Sequence, residues 1–274
     1  MPRPEYDAIE ALNITRLKVI ERSPLHYRAN VPRVSDALTL GIAAHVATLE
    51  PERFGADFAI WDRRTESGRQ APRNGKWWDA FALENTDKYI LTEAEAREAR
   101  AIAAAVRSDA TASRYLASGD PEVTMTWQCH IEDGRLCKGR IDWLTRIDGD
   151  PCVVGLKTAR DCRHYAFGSQ AAKLGYALQW AWYLDGYIAN TGETPRMVEI
   201  VVESEPPHAV ATYRIEDDIL LEGRDNYREL LKVLSDCEAS DIWPGPVLGE
   251  EVLTLPSWYY PQADTDDVTD LHLE

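Results

Sequence analysis

Two long strand-like runs, residues 135–147 (RLCKGRIDWLTRI) and residues 150–159 (DPCVVGLKTA), are separated only by Asp148-Gly149. An Asp-Gly pair between such runs is the strongest short-range signal for a two-residue type I′ hairpin. That turn sets the register of everything beneath it: Ile147 pairs with Asp150, and each further pair keeps the same sum of residue numbers. Asp142 then falls opposite Gly155, and Arg140 opposite Lys157. Strand side chains alternate, so positions 155 and 157 face the same way. A glycine inside a strand usually marks a bulge, a close approach or a missing group.

Directly opposed side chains have β-carbons about 5 Å apart. An acid at position 155 would therefore share one cation with Asp142, with Lys157 aimed at the same place from two residues on. Paired carboxylates beside a lysine suit metal-assisted phosphodiester hydrolysis, because hard oxygens hold Mg²⁺ and an ammonium orients water or offsets phosphate charge. In this chain one carboxylate of the pair is absent.

The rest of the chain fits a layered α/β architecture. Its first half reads as helices from Asn13, from Ser35 and from Thr92, the last opened by a Thr92/Glu95 capping box. Strands follow from Glu122, Arg135 and Asp150, then one long helix (SQAAKLGYALQWAWYLDGYIAN), strands RMVEIVVES and HAVATYRI, and a final helix from Asp217. Helices, a β-meander and a helix crossing to further strands make an α/β sandwich with a central mixed sheet. In the second predicted helix, Leu38, Ile42, His45 and Leu49 recur at helical spacing, which puts His45 on the buried stripe. A lone histidine there is more often a hydrogen-bonded core residue than a ligand. Gln179 and Tyr183 share a helix face four residues apart, with Tyr176 one turn earlier, where packing against the sheet is the alternative to a role in a cleft.

With Asp142, a carboxylate position thirteen residues on, and Lys157 two beyond that, the pattern resembles the PD-(D/E)XK nuclease superfamily. More narrowly, it resembles the exodeoxyribonuclease VIII (RecE) type of phage and prophage recombination systems. RLKVIERSPLHYRA, LGIAAHVATLEPERF, CKGRIDWL, LKTARD, YALQWAWYLDGY, EGRDNYRELL and WPG…LPSW occur in that order along nearly the whole chain. The resemblance implies a restriction-endonuclease-like core, with His45, Asp142 and the main-chain carbonyl of Leu156 as metal ligands and Lys157 as the catalytic lysine. It places Gln179 and Tyr183 beside the cleft. It also implies Mg²⁺ or Mn²⁺ as cofactor and 5′ to 3′ digestion of double-stranded DNA ends, with a ring-shaped homo-oligomer and a single-strand annealing protein as partner. Gly155 stands where the family has its second acid. The chain is then an inactive relative, a variant whose acid was removed, or an enzyme with a carboxylate from elsewhere, and the expectation is a RecE-like exonuclease whose catalysis is impaired by Gly155. Glu122, one strand earlier, is the first candidate for that carboxylate, ahead of Glu199 and Glu203. A non-catalytic DNA-end or partner-binding protein on the same scaffold is the rival reading.

A formal net charge of −16 runs against nucleic-acid binding, which needs positive surface. The exception is residues 63–76, where Arg63, Arg64, Arg69, Arg73 and Lys76 gather in a Gly/Pro-containing loop, either a solvated surface or a phosphate-contacting arm. Arg140, beside the site, is a further candidate DNA contact. The five cysteines lack CxxC spacing, which argues against an iron–sulfur cluster, including that of the CRISPR-associated nucleases of the same superfamily, and against a disulfide framework. The sequence has no apolar run of membrane-spanning length and no signal-peptide pattern, so the expectation is a cytoplasmic protein. Its expected organisation is one domain over residues 1–262, helical to about 120 and nuclease core beyond, followed by an acidic flexible tail at 263–274.

Overall fold

The computed structural model describes residues 3–29, 36–129, 134–256 and 259, and the expected tail at 263–274 lies outside them. Eleven α-helices are described: α1 (Arg3–Ala8), α2 (Ile14–Leu17), α3 (Pro24–Ala29), α4 (Asp36–Leu49), α5 (Phe54–Asp57), α6 (Gly75–Glu84), α7 (Glu93–Ser108), α8 (Ala110–Leu116), α9 (His164–Lys173), α10 (Tyr176–Thr191) and α11 (Asp217–Ser240). The strands are β1 (Phe58–Trp61), β2 (Tyr89–Thr92), β3 (Asp120–Gln128), β4 (Leu136–Ile147), β5 (Asp150–Ala159), β6 (Arg196–Glu203) and β7 (Val210–Arg214). β3 to β7 form one mixed sheet in sequence order, and only the β5–β6 pair is parallel. This is the expected central mixed sheet flanked by helices.

The hairpin forms in the expected register. Asp148 and Gly149 both have positive φ, 55° and 95°, as a type I′ turn requires, and Ile147 pairs with Asp150. The paired ladder runs down to Trp143–Val154 and stops there. Arg140 and Lys157 are therefore not ladder partners; β4 and β5 separate just where the site begins.

Each sheet face carries its own helical layer. Val153, Met197 and Val201 pack with Phe167 of α9 and with Trp180, Leu184 and Tyr187 of α10. Val154, Leu156, Val198, Ile200 and Val202 pack with Ala44 and Leu49 of α4, Ile102 and Val106 of α7 and Ala112 of α8. This alternation along β5 and β6 is the period-2 pattern of strands buried on both sides.

Three helical expectations need correction. The run from Asn13 is two short helices and a 3₁₀ turn, Lys18–Glu21, rather than one helix. The expected long helix after β5 is two, because Gly175 takes φ 61° and separates α9 from α10. The run from Thr92 keeps its capping box, yet Asp109 leaves helical geometry and caps α8 through the Thr111 and Ala112 N–H groups. The small parallel sheet of β1 and β2 is an addition to the expected elements. Among the described side chains of α4, the buried ones are Ala43, Ala44, Ala47, Thr48 and Leu49, whereas Ile42 and His45 are half-buried. His45 thus sits at the margin of the buried face, where its ring can reach the sheet.

Candidate active site

The site is built where β4 and β5 part. Asp142, no longer in the ladder, accepts the Leu156 backbone N–H at 3.0 Å through Oδ2. From the helical layer on the other side, His45 Nε2 meets the Leu156 carbonyl oxygen. Leu156 is thereby held by its N–H and its C=O between the two side chains.

Lys157 follows on β5, and its Nζ lies 3.6 Å from Asp142 Oδ2 and 3.5 Å from Glu199 Oε1. Glu199, 1% exposed, is the β6 partner of Gly155 in the parallel pairing. A β-carbon at position 155 would stand 2.7 Å from Glu199 Oε2 and 2.8 Å from its Cδ. The space of a side chain at 155 is thus filled, by a carboxylate delivered from the next strand. Trp180 of α10 donates its indole N–H to Glu199 Oε2. Glu199 Oε1 is buried and accepts no hydrogen bond among the described residues.

Glu122 approaches from β3. Its neighbours Pro121 and Val123 pair with Trp143 and Ile141, so Glu122 lies level with Asp142, although its own φ of 53° interrupts the pairing. One ligand atom each from His45, Glu122 and Asp142 lie within 4.8 Å of one another, a set able to hold a metal ion. Glu122 is also ion-paired with Arg140. Arg140 is buried rather than presented to solvent, with its guanidinium near the Tyr6 ring, so its surroundings are those of an internal ion pair.

The electrostatics follow from burial among opposite charges. Burial alone would push the Lys157 ammonium down, but Glu199 and Asp142 more than reverse this and raise its pKa above the usual lysine range. Burial acts upward on the Asp142 carboxyl, yet Lys157 and His45 hold it below the usual aspartate value. Glu199 is displaced upward, by burial and then by Asp142, against the pull of Lys157. Burial lowers the His45 pKa against the pull of Asp142. The donor set of one imidazole and the hard carboxylate oxygens of Glu122 and Asp142 fits a divalent cation.

Gln179 and Tyr183 line the same small cavity as Asp142, Gly155, Lys157 and Glu199. Gln179 Nε2 donates to the Tyr183 hydroxyl at 3.0 Å, and burial followed by Asp142 raises the phenol's pKa. Lys157 Nζ also lies 5.7 Å from the Tyr176 ring centre. Glu203 is elsewhere: its carboxylate accepts the Cys162 N–H at the far end of β6.

The basic loop is partly spoken for. Arg64 pairs with Glu93 and Arg73 with Glu95, both in the first turn of α7, while Arg63 and Lys76 lie over the Trp77 ring. Arg69 is exposed.

Residues 14–251 match the model of a family described as a PDDEXK-like domain of unknown function, DUF3799. The chain belongs to that family. Among solved structures it is similar to one described as "Putative exonuclease" from Eubacterium rectale, at 16% identity over 93% of this chain and 95% of the other, with a TM-score of 0.64. That likeness establishes the shared fold. A structure of SSO0001 aligns at 11% identity over 78% of this chain and 84% of its own, with a TM-score of 0.30, too low to support any argument. No curated protein matches the chain. Among the described residues no helix is long and apolar enough to cross a membrane.

The residue that sequence reasoning underrates is Glu199. Its signal is present: a glutamate flanked by Val198 and Ile200 in a strand whose other positions from 197 to 202 are all apolar is a buried charge that needs a partner.

Proposed function

We propose that this chain is a metal-dependent DNA exonuclease of RecE-like type, which hydrolyses phosphodiester bonds of linear duplex DNA in the 5′ to 3′ direction and exposes single strands for recombination. The observation that carries the reading is the meeting of His45, Glu122 and Asp142 ligand atoms within 4.8 Å, with Lys157 3.6 Å from Asp142. His45, Asp142 and the Leu156 carbonyl are the residues to hold Mg²⁺ or Mn²⁺. A divalent cation bound there supplies Lewis acidity toward a phosphate oxygen and toward water.

The chain's own groups do the rest. Lys157, kept protonated by two carboxylates, cannot accept a proton; it donates N–H bonds that orient water or offset charge on the phosphate. Tyr183 accepts from Gln179 and retains its own proton, so it presents a donor toward the cavity. The loop at residues 63–76 supplies phosphate contacts through its exposed cations. A ring-shaped homo-oligomer and a single-strand annealing partner belong to the same reading.

The test is digestion of linear duplex labelled at either the 5′ or the 3′ end, with Mg²⁺, with Mn²⁺ and with chelator. Release that begins at 5′ ends, needs metal, and is lost in Lys157→Ala supports the reading; cleavage that persists in chelator refutes it. The second reading, a DNA-end-binding scaffold without catalysis, is favoured by Gly155 at the family's acid position. Tight metal-independent binding of duplex ends without cleavage would select it.

A further inference from the structure

The Gly155–Glu199 pair is reciprocal. Glu199 can occupy its position only because residue 155 has no side chain, and any β-carbon there would overlap its carboxylate. Conversely, a glycine at 155 leaves β5 without an acid at the family's position. The parallel register makes the two residues direct neighbours, so the chain carries one carboxylate at this spot, but from β6 instead of β5.

A wholly buried carboxylate costs several kcal/mol of desolvation unless its oxygens are satisfied. Glu199 is only half satisfied. Trp180 serves Oε2, whereas Oε1 has Lys157 at 3.5 Å and no hydrogen bond among the described residues. Glu199 lines the small cavity shared with Asp142 and Lys157. Among the described residues that oxygen is met only by the Lys157 ammonium, at 3.5 Å and outside hydrogen-bond geometry, on a cavity that Asp142 also lines, which leaves it able to take a divalent cation.

We infer that Glu199 is the second metal-binding acid of this site, its role transferred across the sheet from position 155 to the adjacent strand. The inference rests on the metal-dependent reading above and deepens it: Gly155 marks a relocated ligand, and the catalytic site is complete. Glu122 is ion-paired with Arg140 and is a supporting carboxylate. The alternative role for Glu199 is that of a structural counter-ion to Lys157, which would leave cation affinity untouched.

Calorimetric titration of the full chain with Mn²⁺ separates the two. Glu199→Gln keeps the shape and an acceptor for Trp180, and it should lower Mn²⁺ affinity at least tenfold, as Asp142→Asn should. Gly155→Asp alone should melt at lower temperature because its carboxyl collides with Glu199. The double variant Gly155→Asp/Glu199→Ala, with the acid back on β5, should regain Mn²⁺ affinity, the metal-induced rise in Tm and duplex cleavage relative to Glu199→Ala. A parent that loses affinity in Asp142→Asn but not in Glu199→Gln, or a double variant that binds no better than Glu199→Ala, would overturn the Glu199 assignment alone. A parent that binds no Mn²⁺ at all would overturn the assignment together with the metal-dependent reading.

Discussion

Asp142 Oδ2 accepts the backbone N–H of Leu156 at 3.0 Å, across the gap that opens when the β4–β5 ladder ends at Trp143–Val154. One side chain thereby replaces a strand–strand hydrogen bond and fixes the main chain one residue before Lys157. The bond also turns Asp142 into the point where the sheet's structure and the site's charge meet.

Asp142→Ala should consequently fail in two ways. It leaves the Leu156 N–H without its acceptor, at about 1–3 kcal/mol for an unsatisfied buried group. It also leaves Lys157 with Glu199 as its remaining close carboxylate. Denaturant melts in chelator should show the loss of stability, and Asp142→Asn, which keeps an acceptor oxygen, should recover most of it. Neither variant should show the parent's stabilisation by Mn²⁺, which acts by preferential binding to the folded state.

Trp180 tests the support beneath Glu199. Trp180→Phe keeps an aromatic ring on α10 but removes the donor to Oε2. Hydrogen bonds to charged groups contribute about 1.5–3 kcal/mol, so the metal-free protein should lose stability of that order in urea or thermal melts. If Trp180→Phe melts as the parent does, the indole is there for packing and Glu199 is held by Lys157.

A third variant concerns the scaffold. Gly223 of α11 lies against α10 so closely that a β-carbon would fall 2.5 Å from the Ala177 carbonyl carbon and nearer still to its oxygen. Gly223→Ala gains helix propensity in isolation, yet here it forces the two helices apart. Overpacking of this kind costs about 1–3 kcal/mol. Because α10 carries Gln179, Trp180 and Tyr183, the same variant should weaken Mn²⁺ binding; a thermal melt and a titration on one sample measure both.

What is legible in the sequence divides along the range of the interactions. The β4–β5 pairing is legible because a two-residue turn fixes its register locally, and with it the proximity of Asp142, Gly155 and Lys157. The capping box of Thr92 and Glu95 is legible for the same reason, as both partners lie within one helical turn. The β5–β6 register is not, because these strands are joined through α9 and α10, and no local turn chemistry states which residue faces which. Glu199 is therefore visible in the sequence as a buried charge, while its neighbour is not. The helix break at Gly175 is hidden by apolar periodicity that continues through it, and the alanine face of α4 by the larger Ile42, which draws the apolar stripe toward a half-buried position.

The basic loop gives the last prediction. Five cations fall between residues 63 and 76 of a chain with net charge −16, but they are not equivalent. Arg64 and Arg73 are engaged with Glu93 and Glu95 of α7, so removing either disturbs the loop's attachment as well as its charge. Arg69 is exposed at the loop's tip, where Gly68 takes φ 76° and the Arg69 N–H bonds back to the Thr65 hydroxyl. Arg69→Ala therefore isolates the electrostatic contribution. If the loop touches duplex phosphates, removing this one cation should reduce the slope of log affinity against log salt by about 0.9. Affinity should fall equally for all sequences, since a phosphate interaction carries no base information. Arg64→Ala should additionally lower the melting temperature, whereas Arg69→Ala should not. An unchanged salt slope in Arg69→Ala, measured by fluorescence anisotropy on a short duplex in chelator, would return the loop to ordinary solvated surface and leave phosphate binding to the rim of the Lys157 cavity.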